Sequence, residues 1–272
     1  MGEMNEDAAI VRVLHGDPLR RILTLLTDGD RTCFRLACAA FRAHSTRPYR
    51  ARRSDFMRSV ALVEYAWGEL PRFRECSGPR LLLLAAGVGC VSVIAWLYAA
   101  GCSWSEWVPV AAAAGGHLEV LRYAREHGCP WDERTCDGAA GAGQFEALRY
   151  AREHGCPWHG ERTCAGAARS GQLDMLRWLR ERGCAWDERT CSSAAEGGHL
   201  EVLRWAHEHG CAWDERTCSS AAEGGHLEVL RWAQEHGCPW DVRTVSYAKQ
   251  NGDPQVTRYA LEHGCPSIES RF

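Results

Sequence analysis

Apolar and polar positions between residues 211 and 237 form two helical stripes separated by a glycine pair. In CAWDERTCSSAAEGGHLEVLRWAQEHG, Cys218, Ala221 and Ala222 recur at helical spacing between Glu215 and Glu223, and Asp214 stands at the N-cap position. Gly224-Gly225 breaks that stretch. A second helix is predicted from about His226 to His236. Leu227, Leu230 and Ala233 make its stripe, and Val229 and Trp232 widen it. Gly237 closes this helix. The unit therefore reads helix–turn–helix, with roughly nine and eleven residues in its two helices.

The pattern recurs along the chain. Gly-Cys falls at Gly101-Cys102, Gly128-Cys129, Gly155-Cys156, Gly183-Cys184, Gly210-Cys211, Gly237-Cys238 and Gly264-Cys265. Five of the six intervals are 27 residues, and the one from Cys156 to Cys184 is 28. Neither helix of a unit can bury its apolar face alone, so a fixed period predicts stacked repeats sharing a continuous core. The Ala-Ala pair in each first helix lets the neighbouring helix approach closely. Trp131, Trp158, Trp186, Trp213 and Trp240 recur just after the cysteine and are expected to cover the seams between repeats.

The run Thr217-Cys218-x-x-Ala221-Ala222-x-x-Gly225-His226-Leu227-Glu228-Val229-Leu230 resembles the ankyrin pattern of Thr-Pro-Leu-His, Ala-Ala and Gly-His-Leu-Glu-Val-Val. Gly-His-Leu-Glu-Val-Leu also occurs at 116–121 and 198–203, and the likeness spans roughly residues 81–270. The Thr-Pro-Leu-His element is reduced to Thr-Cys. The unit is also about six residues short of the usual ankyrin length, and the missing residues fall where ankyrin repeats carry a β-hairpin finger. The resemblance thus implies an all-α, ankyrin-like helix–turn–helix solenoid lacking β-hairpin fingers and binding a protein target through its helix faces. Similar short Cys- and Trp-rich repeats abound in giant DNA viruses and some algae.

Departures from the repeat point to where specificity could lie. Units 184–210 and 211–237 differ only at His207 and Gln234, and identical surfaces cannot specify different contacts. The 28-residue unit has His159-Gly160 where the others have a single Asp. Phe145, Arg169, Met175 and Leu179 also leave the pattern. Phe145, His159, Arg169 and Met175 are the expected partner surface, within 137–182.

Residues 14–42 lie outside the repeat. Leu19, Ile22, Leu23 and Leu26, then Phe34, Ala37, Cys38 and Phe41, describe two amphipathic helices about a polar turn at Thr27–Asp30. The stretch is similar to an F-box: Leu14, Leu19, Ile22, Leu23, Leu26, Asp30, Leu36, Cys38 and Phe41 fall in register, with His15 where the family has Pro. That resemblance implies docking onto a Skp1-like adaptor of a cullin ubiquitin ligase. A helical cap over the first repeat is the alternative. The expected organisation is an F-box-like module at 1–46, a basic linker and degenerate capping repeat at 47–80, and the solenoid at 81–272.

Charge and cysteine usage narrow the class. Fifteen cysteines would suggest disulfides in a small secreted chain, but the start MGEMNEDAAI is acidic and is not a signal peptide. A reducing compartment is expected, cytoplasm or nucleus (the host cytoplasm for a viral chain). The basic run RPYRARRSDFMR at 47–58 reads as a solvated linker, since the chain's net charge is −3, and no nucleic-acid partner is expected. The uncharged stretch from Leu81 to Ser105 has the length of a membrane span. It keeps the repeat register, however, with Gly89 matching Gly116, so it is assigned to a buried early repeat and no membrane partner is expected.

No cofactor or metal is expected. Each regular unit offers Cys-x6-Cys, but Val245 and Pro109 take the place of Cys136 in other units, so the role is packing. His127, His154, His209, His236 and His263 sit at helix C-termini, where positive charge is favourable. Arg122, Arg149, Arg177, Arg204, Arg231 and Arg258 form a row expected to pair with acids of adjacent units. No Gly-x-Ser-x-Gly, phosphate loop, His-Glu-x-x-His or dinucleotide fingerprint occurs, so no enzymatic activity is expected. The reading is a substrate-recognition adaptor of a Skp1–cullin–F-box type ubiquitin ligase. The alternative is a scaffold or competitive binder without a ubiquitin link. The chain holds 31 Arg and one Lys, Lys249, which would suit an adaptor tethered to a ligase; GC-rich coding bias accounts for it as simply.

Overall fold

The structure, a computed structural model, describes residues 81–267. The hairpin expected at 14–42, the basic run at 47–58 and the opening repeat before residue 81 lie outside the described residues. Among the described residues the secondary structure is helical, with no strand. Two compact units are distinguished, one ending at Pro130 and one beginning at Trp131.

In the first unit, helical residues 81–88 precede α1 (Val91–Ala99), and α2 (Trp107–Ala114) precedes α3 (Leu118–Glu126). The apolar 81–105 stretch is thus interrupted at Gly89-Cys90, between helical residues 81–88 and α1. Among the described residues no helix is long and apolar enough to cross a membrane.

The second unit is a solenoid of five helix pairs. They are α4 (Glu133–Gly141) with α5 (Phe145–Glu153), α6 (Gly160–Arg169) with α7 (Leu173–Glu181), α8 (Glu188–Glu196) with α9 (Leu200–Glu208), α10 (Glu215–Glu223) with α11 (Leu227–Glu235), and α12 (Val242–Asn251) with α13 (Pro254–Glu262). The connectors between pairs are short and form no fingers.

Local chemistry sets these boundaries. Asp132, Asp187, Asp214 and Asp241 cap their helices, each accepting a hydrogen bond from the amide two residues on. At the end of α11 the amide of Gly237 (φ 82) bonds to Gln234 O at 3.0 Å, and that of Cys238 bonds to Ala233 O at 2.9 Å. This is a Schellman ending, which needs the left-handed conformation that glycine adopts freely.

Packing follows the size of the side chains. The first helices of successive pairs pack closely together, because their facing residues are Ala140, Ala167, Ala168, Ala194, Ala195, Ala221 and Ala222, all at 0 % exposure. The second helices bring Leu148, Leu176, Leu203 and Leu230 to the same core, also at 0 %. Each such leucine contributes roughly 1.5–3 kcal/mol by burial. The expected stripe through Leu227 is corrected. Val229, Leu230, Trp232 and Ala233 are buried, whereas Leu227 is only half-buried at the rim.

The pair α12–α13 changes the pattern. Thr257 stands where the other second helices have a buried Leu, and exposed Lys249 stands where the first helices have a buried Ala. Those two places lie in the repeat-to-repeat core elsewhere. This pair therefore presents the polar outer face that a solenoid needs at a terminal repeat.

Candidate interaction surface

Three sets of ties hold the repeats in register and decide which side chains remain for a partner. The first lies within a repeat. Cys156, Cys184, Cys211, Cys238 and Cys265 each donate a thiol hydrogen bond to the carbonyl 24 residues earlier, at Asp132 (3.1 Å), Gly160 (3.4 Å), Asp187 (3.2 Å), Asp214 (3.4 Å) and Asp241 (3.3 Å). This strap fastens the end of each second helix to the start of its own first helix, which explains why Gly-Cys keeps time along the chain.

The second tie joins neighbouring repeats. His199 and His226 donate from Nε2 to the carbonyls of Arg169 (3.1 Å) and Glu196 (3.0 Å), at the ends of α6 and α8. Their rings lie so close over Gly171 and Gly198 that a Cβ there would meet ring atoms at 2.6 Å. The glycine before each of these turns is therefore required by its φ and also by the next repeat's imidazole.

The third tie is aromatic. Trp131 meets Tyr150 edge-on, Trp158 meets Trp178, Trp186 meets Trp205 and Trp213 meets Trp232, with centroids 5.7–6.5 Å apart. Each of these ring pairs lies within one helix pair, and Trp158, Trp186 and Trp213 also meet a side chain of the preceding pair. Arg152 and Arg180 stack over Trp158 and Trp186 at 4.5 and 4.0 Å, and His207 takes that place over Trp213 at 3.7 Å. Gln234, the one difference between the twin repeats, instead accepts from the Tyr259 hydroxyl at 3.3 Å. The C-terminal histidines cap their helices: His154, His209, His236 and His263 donate from Nδ1 to the carbonyl four residues back, at 2.7–2.9 Å.

The arginine row behaves differently from expectation. Arg149, Arg177 and Arg231 pair with Glu146, Asp174 and Glu228 three residues earlier on the same helix, and the same holds for Arg122 with Glu119. Acids of adjacent units are reached from the first helices instead, by Arg169 to Glu196, Arg189 to Glu161 and Arg243 to Glu215. The second-helix arginines reach the adjacent repeat through its rings: Arg177 lies 5.9 Å from Trp205 and Arg204 lies 5.6 Å from Trp232.

Of the four residues expected to form a partner surface, the structure brings two to solvent. His159 has its side chain 44 % exposed and Arg169 has its 60 % exposed. Phe145 is half-buried and packs edge-on against Trp178, 5.7 Å away. Met175 is 1 % exposed and belongs to the core, as does Leu179 at 0 %. Met175 occupies the buried place held by Val202 and Val229 in other repeats, so its departure changes core volume and adds nothing to the surface. Two acids beside His159 were not singled out by sequence. Its imidazole lies 3.1 Å from Asp137 and 3.4 Å from Glu133, and Thr163 donates to Asp137 at 2.7 Å. The available signal was Asp137 itself, which stands where the other repeats have Ala165, Ser192, Ser219 and Ser246.

Asp132 shows the local electrostatics. Hydrogen bonds from the Arg134 guanidinium, at 2.8 Å from Nε, outweigh partial burial and hold its carboxyl below the ordinary value of 3.8. Among the described residues no group of three His, Cys, Asp or Glu side chains is placed to hold a metal ion.

No protein-family model matches the chain. No curated protein matches it either. Among solved structures it is similar to the human ASB11 ankyrin repeat domain at 15 % identity, covering 69 % of this chain and 99 % of that one with a TM-score of 0.49.

Proposed function

We propose that this chain is a non-enzymatic protein-binding adaptor, with residues 14–42 docking a Skp1-like component of a cullin ubiquitin ligase and the repeats holding the target. The observation that carries the reading is the contrast between scaffold and surface in the 137–182 region. Straps, histidine ties and aromatic lids repeat with little change, whereas His159 at the start of α6 meets Asp137 and Glu133 of α4, and Arg169 at the other end of α6 pairs with Glu196; His159, Asp137 and Arg169 are specific to this region. A fixed frame carrying a variable polar edge suits recognition of a protein surface. The ubiquitin link rests on the F-box-like register of Leu14, Leu19, Ile22, Leu23, Leu26, Leu36, Cys38 and Phe41.

The test is a pull-down with the full chain and a chain lacking 14–42. The expected result is retention of a purified Skp1-like adaptor by the full chain and its loss on deletion. Equal behaviour of both chains would refute the ligase link and leave a scaffold or competitive binder.

A further inference from the structure

The twin repeats 184–210 and 211–237 differ at a single place, His207 against Gln234. That place is the last but one residue of each second helix. It is held by Arg152 in α5, Arg180 in α7, His207 in α9, Gln234 in α11 and Leu261 in α13. Six residues further on, Trp158, Trp186, Trp213 and Trp240 are the same in every repeat, and Ser267 stands where another indole would be. A constant frame thus carries a row in which the side chain changes. Arg152 is exposed, and Arg180, His207 and Gln234 are half-buried. Leu261 is 45 % exposed, the one large hydrophobic so exposed among the described residues of the second unit.

The two arginines are held in place with donors to spare. Arg152 lies over Trp158 at 4.5 Å and donates from Nη1 to Cys156 O at 3.1 Å. Arg180 lies over Trp186 at 4.0 Å and donates from Nη1 to Cys184 O at 2.8 Å. A guanidinium has five N–H donors in a fixed fork, so most remain for a partner. Neither arginine is ion-paired among the described residues, in contrast with Arg149 and Arg177 one turn earlier, which hold Glu146 and Asp174. Glu153 and Glu181 follow in the chain, about 100° round the helix, and bond to neither. The indole stack and the backbone bond restrict each arginine before any partner arrives, which lowers the entropy lost on binding. His207 lies over Trp213 at 3.7 Å. Gln234 accepts from the Tyr259 hydroxyl through its oxygen and keeps its amide donors. The row therefore runs from two cations, through an imidazole and an amide, to an apolar side chain.

Given the reading that the repeats hold a protein, we propose that this row is a binding surface for an extended acidic segment of the target. Packed helices stand about 8–10 Å apart and an extended chain rises about 3.3 Å per residue, so about three residues of the target span one repeat. Two carboxylates three places apart meet Arg152 and Arg180 through charge-assisted N–H···O bonds. Polar residues of the target lie against His207 and Gln234. An apolar residue, about nine places from the second carboxylate, covers Leu261. A nucleic acid fits poorly. It brings a charge at every step, whereas the cations end at Arg180 and exposed Glu208, Glu235 and Glu262 accompany the rest of the row.

The test is selection of a phage-displayed random 16-residue peptide library on the full chain, with the selected peptides then measured by fluorescence anisotropy. Enriched peptides are expected to carry Asp or Glu three places apart and an apolar residue about nine places beyond. Arg152→Gln and Arg180→Gln copy the residue that Gln234 supplies in the same frame, so the urea midpoint should stay near that of the parent. Each should weaken the selected peptides about ten-fold or more, as loss of a charged hydrogen-bond donor does. His207→Gln makes the twin repeats identical. It should change the residue selected opposite that place and leave the acidic preference intact. Unchanged affinity in both arginine variants would overturn the proposal, as would enrichment of peptides without acids or no enrichment at all. Loss of binding in Arg169→Ala instead would place the target on the first-helix edge, which keeps a protein-binding solenoid and removes this row. Tighter binding of an oligothymidylate, weakened by the same arginine variants, would also overturn it. The adaptor link is tested separately by deleting 14–42, so the two readings fail independently.

Discussion

Gly160→Ala tests the account of the 28-residue repeat, because helix propensity and tertiary structure predict opposite signs. In the regular repeats the residue 24 before the strap cysteine is an aspartate outside the helix, with φ from −136° to −141°. The extra residue at His159 draws the helix back by one position, so Gly160 becomes the first residue of α6 and His159 its N-cap without a side-chain cap bond. The strap from Cys184 to Gly160 O then presses the following backbone onto Gly160. A Cβ there would lie 2.8 Å from Ala185 N and 3.0 Å from Ala185 O and Cβ. Propensity alone would credit Gly→Ala with roughly 0.5–1 kcal/mol of stabilisation. Forcing an extra carbon against backbone costs about 1–3 kcal/mol. The expected net loss is about 1–2 kcal/mol, a fall of roughly 0.5–1 M in the urea midpoint for a slope near 2 kcal/mol/M. Gly141→Ala is the matched control. Its added Cβ meets nothing within 4 Å, so it should raise stability by about 0.5 kcal/mol. Urea unfolding followed by far-UV circular dichroism reads both. A Gly160→Ala midpoint at or above that of the parent would refute the reasoning. Gly160→Asp, which restores the cap residue of the other repeats, should fail in the same way.

Three further outcomes follow from the ties between and within repeats. His226→Ala removes the donor to Glu196 O and should cost about 1 kcal/mol, read as faster hydrogen exchange at the α8–α11 seam; unchanged exchange there would count against the tie. Thr257→Leu with Lys249→Ala restores an interior-type face on the last pair and should produce concentration-dependent self-association in light scattering, whereas a concentration-independent mass would argue against a polar cap. Asp132 has its folded-state carboxyl pKa lowered below 3.8, so its contribution is fully present above that value and is lost as pH falls through the lower folded-state value. The melting midpoint should therefore drop below about pH 4, with a shallower drop in Asp132→Asn; identical acid profiles would remove Asp132 from the account.

The repeat, its two helices and their ends were legible in the sequence because they depend on neighbours within a few residues. An aspartate two residues before the amide it caps, or a glycine one place beyond a helix, acts at a range the chain itself fixes. So Glu215–Glu223 is a helix in the structure with the boundaries the pattern predicted. The small Ala-Ala pairs likewise announced close packing of first helices, since no other choice of size would permit it.

Whatever depended on a neighbouring helix was decided by tertiary structure. Periodicity puts Leu227 and Val229 on the apolar side of one helix, and Met175 stands at the Val229 position of another, but the angle at which helices meet chooses which positions go to the core and which stay at the rim. Met175 therefore left the predicted surface, and Leu227 left the predicted core. The cysteines make the same point. Read along the chain, Cys129 and Cys136 look like the natural pair, seven residues apart. In space Cys156 reaches back to Asp132 O at 3.1 Å, because the strap returns the end of the repeat to its own beginning. The 27-residue beat thus specified a stack of helix pairs, while only the closing of each pair on itself set each strap sulfur on a carbonyl 24 residues earlier and left His159 and Arg169 facing solvent.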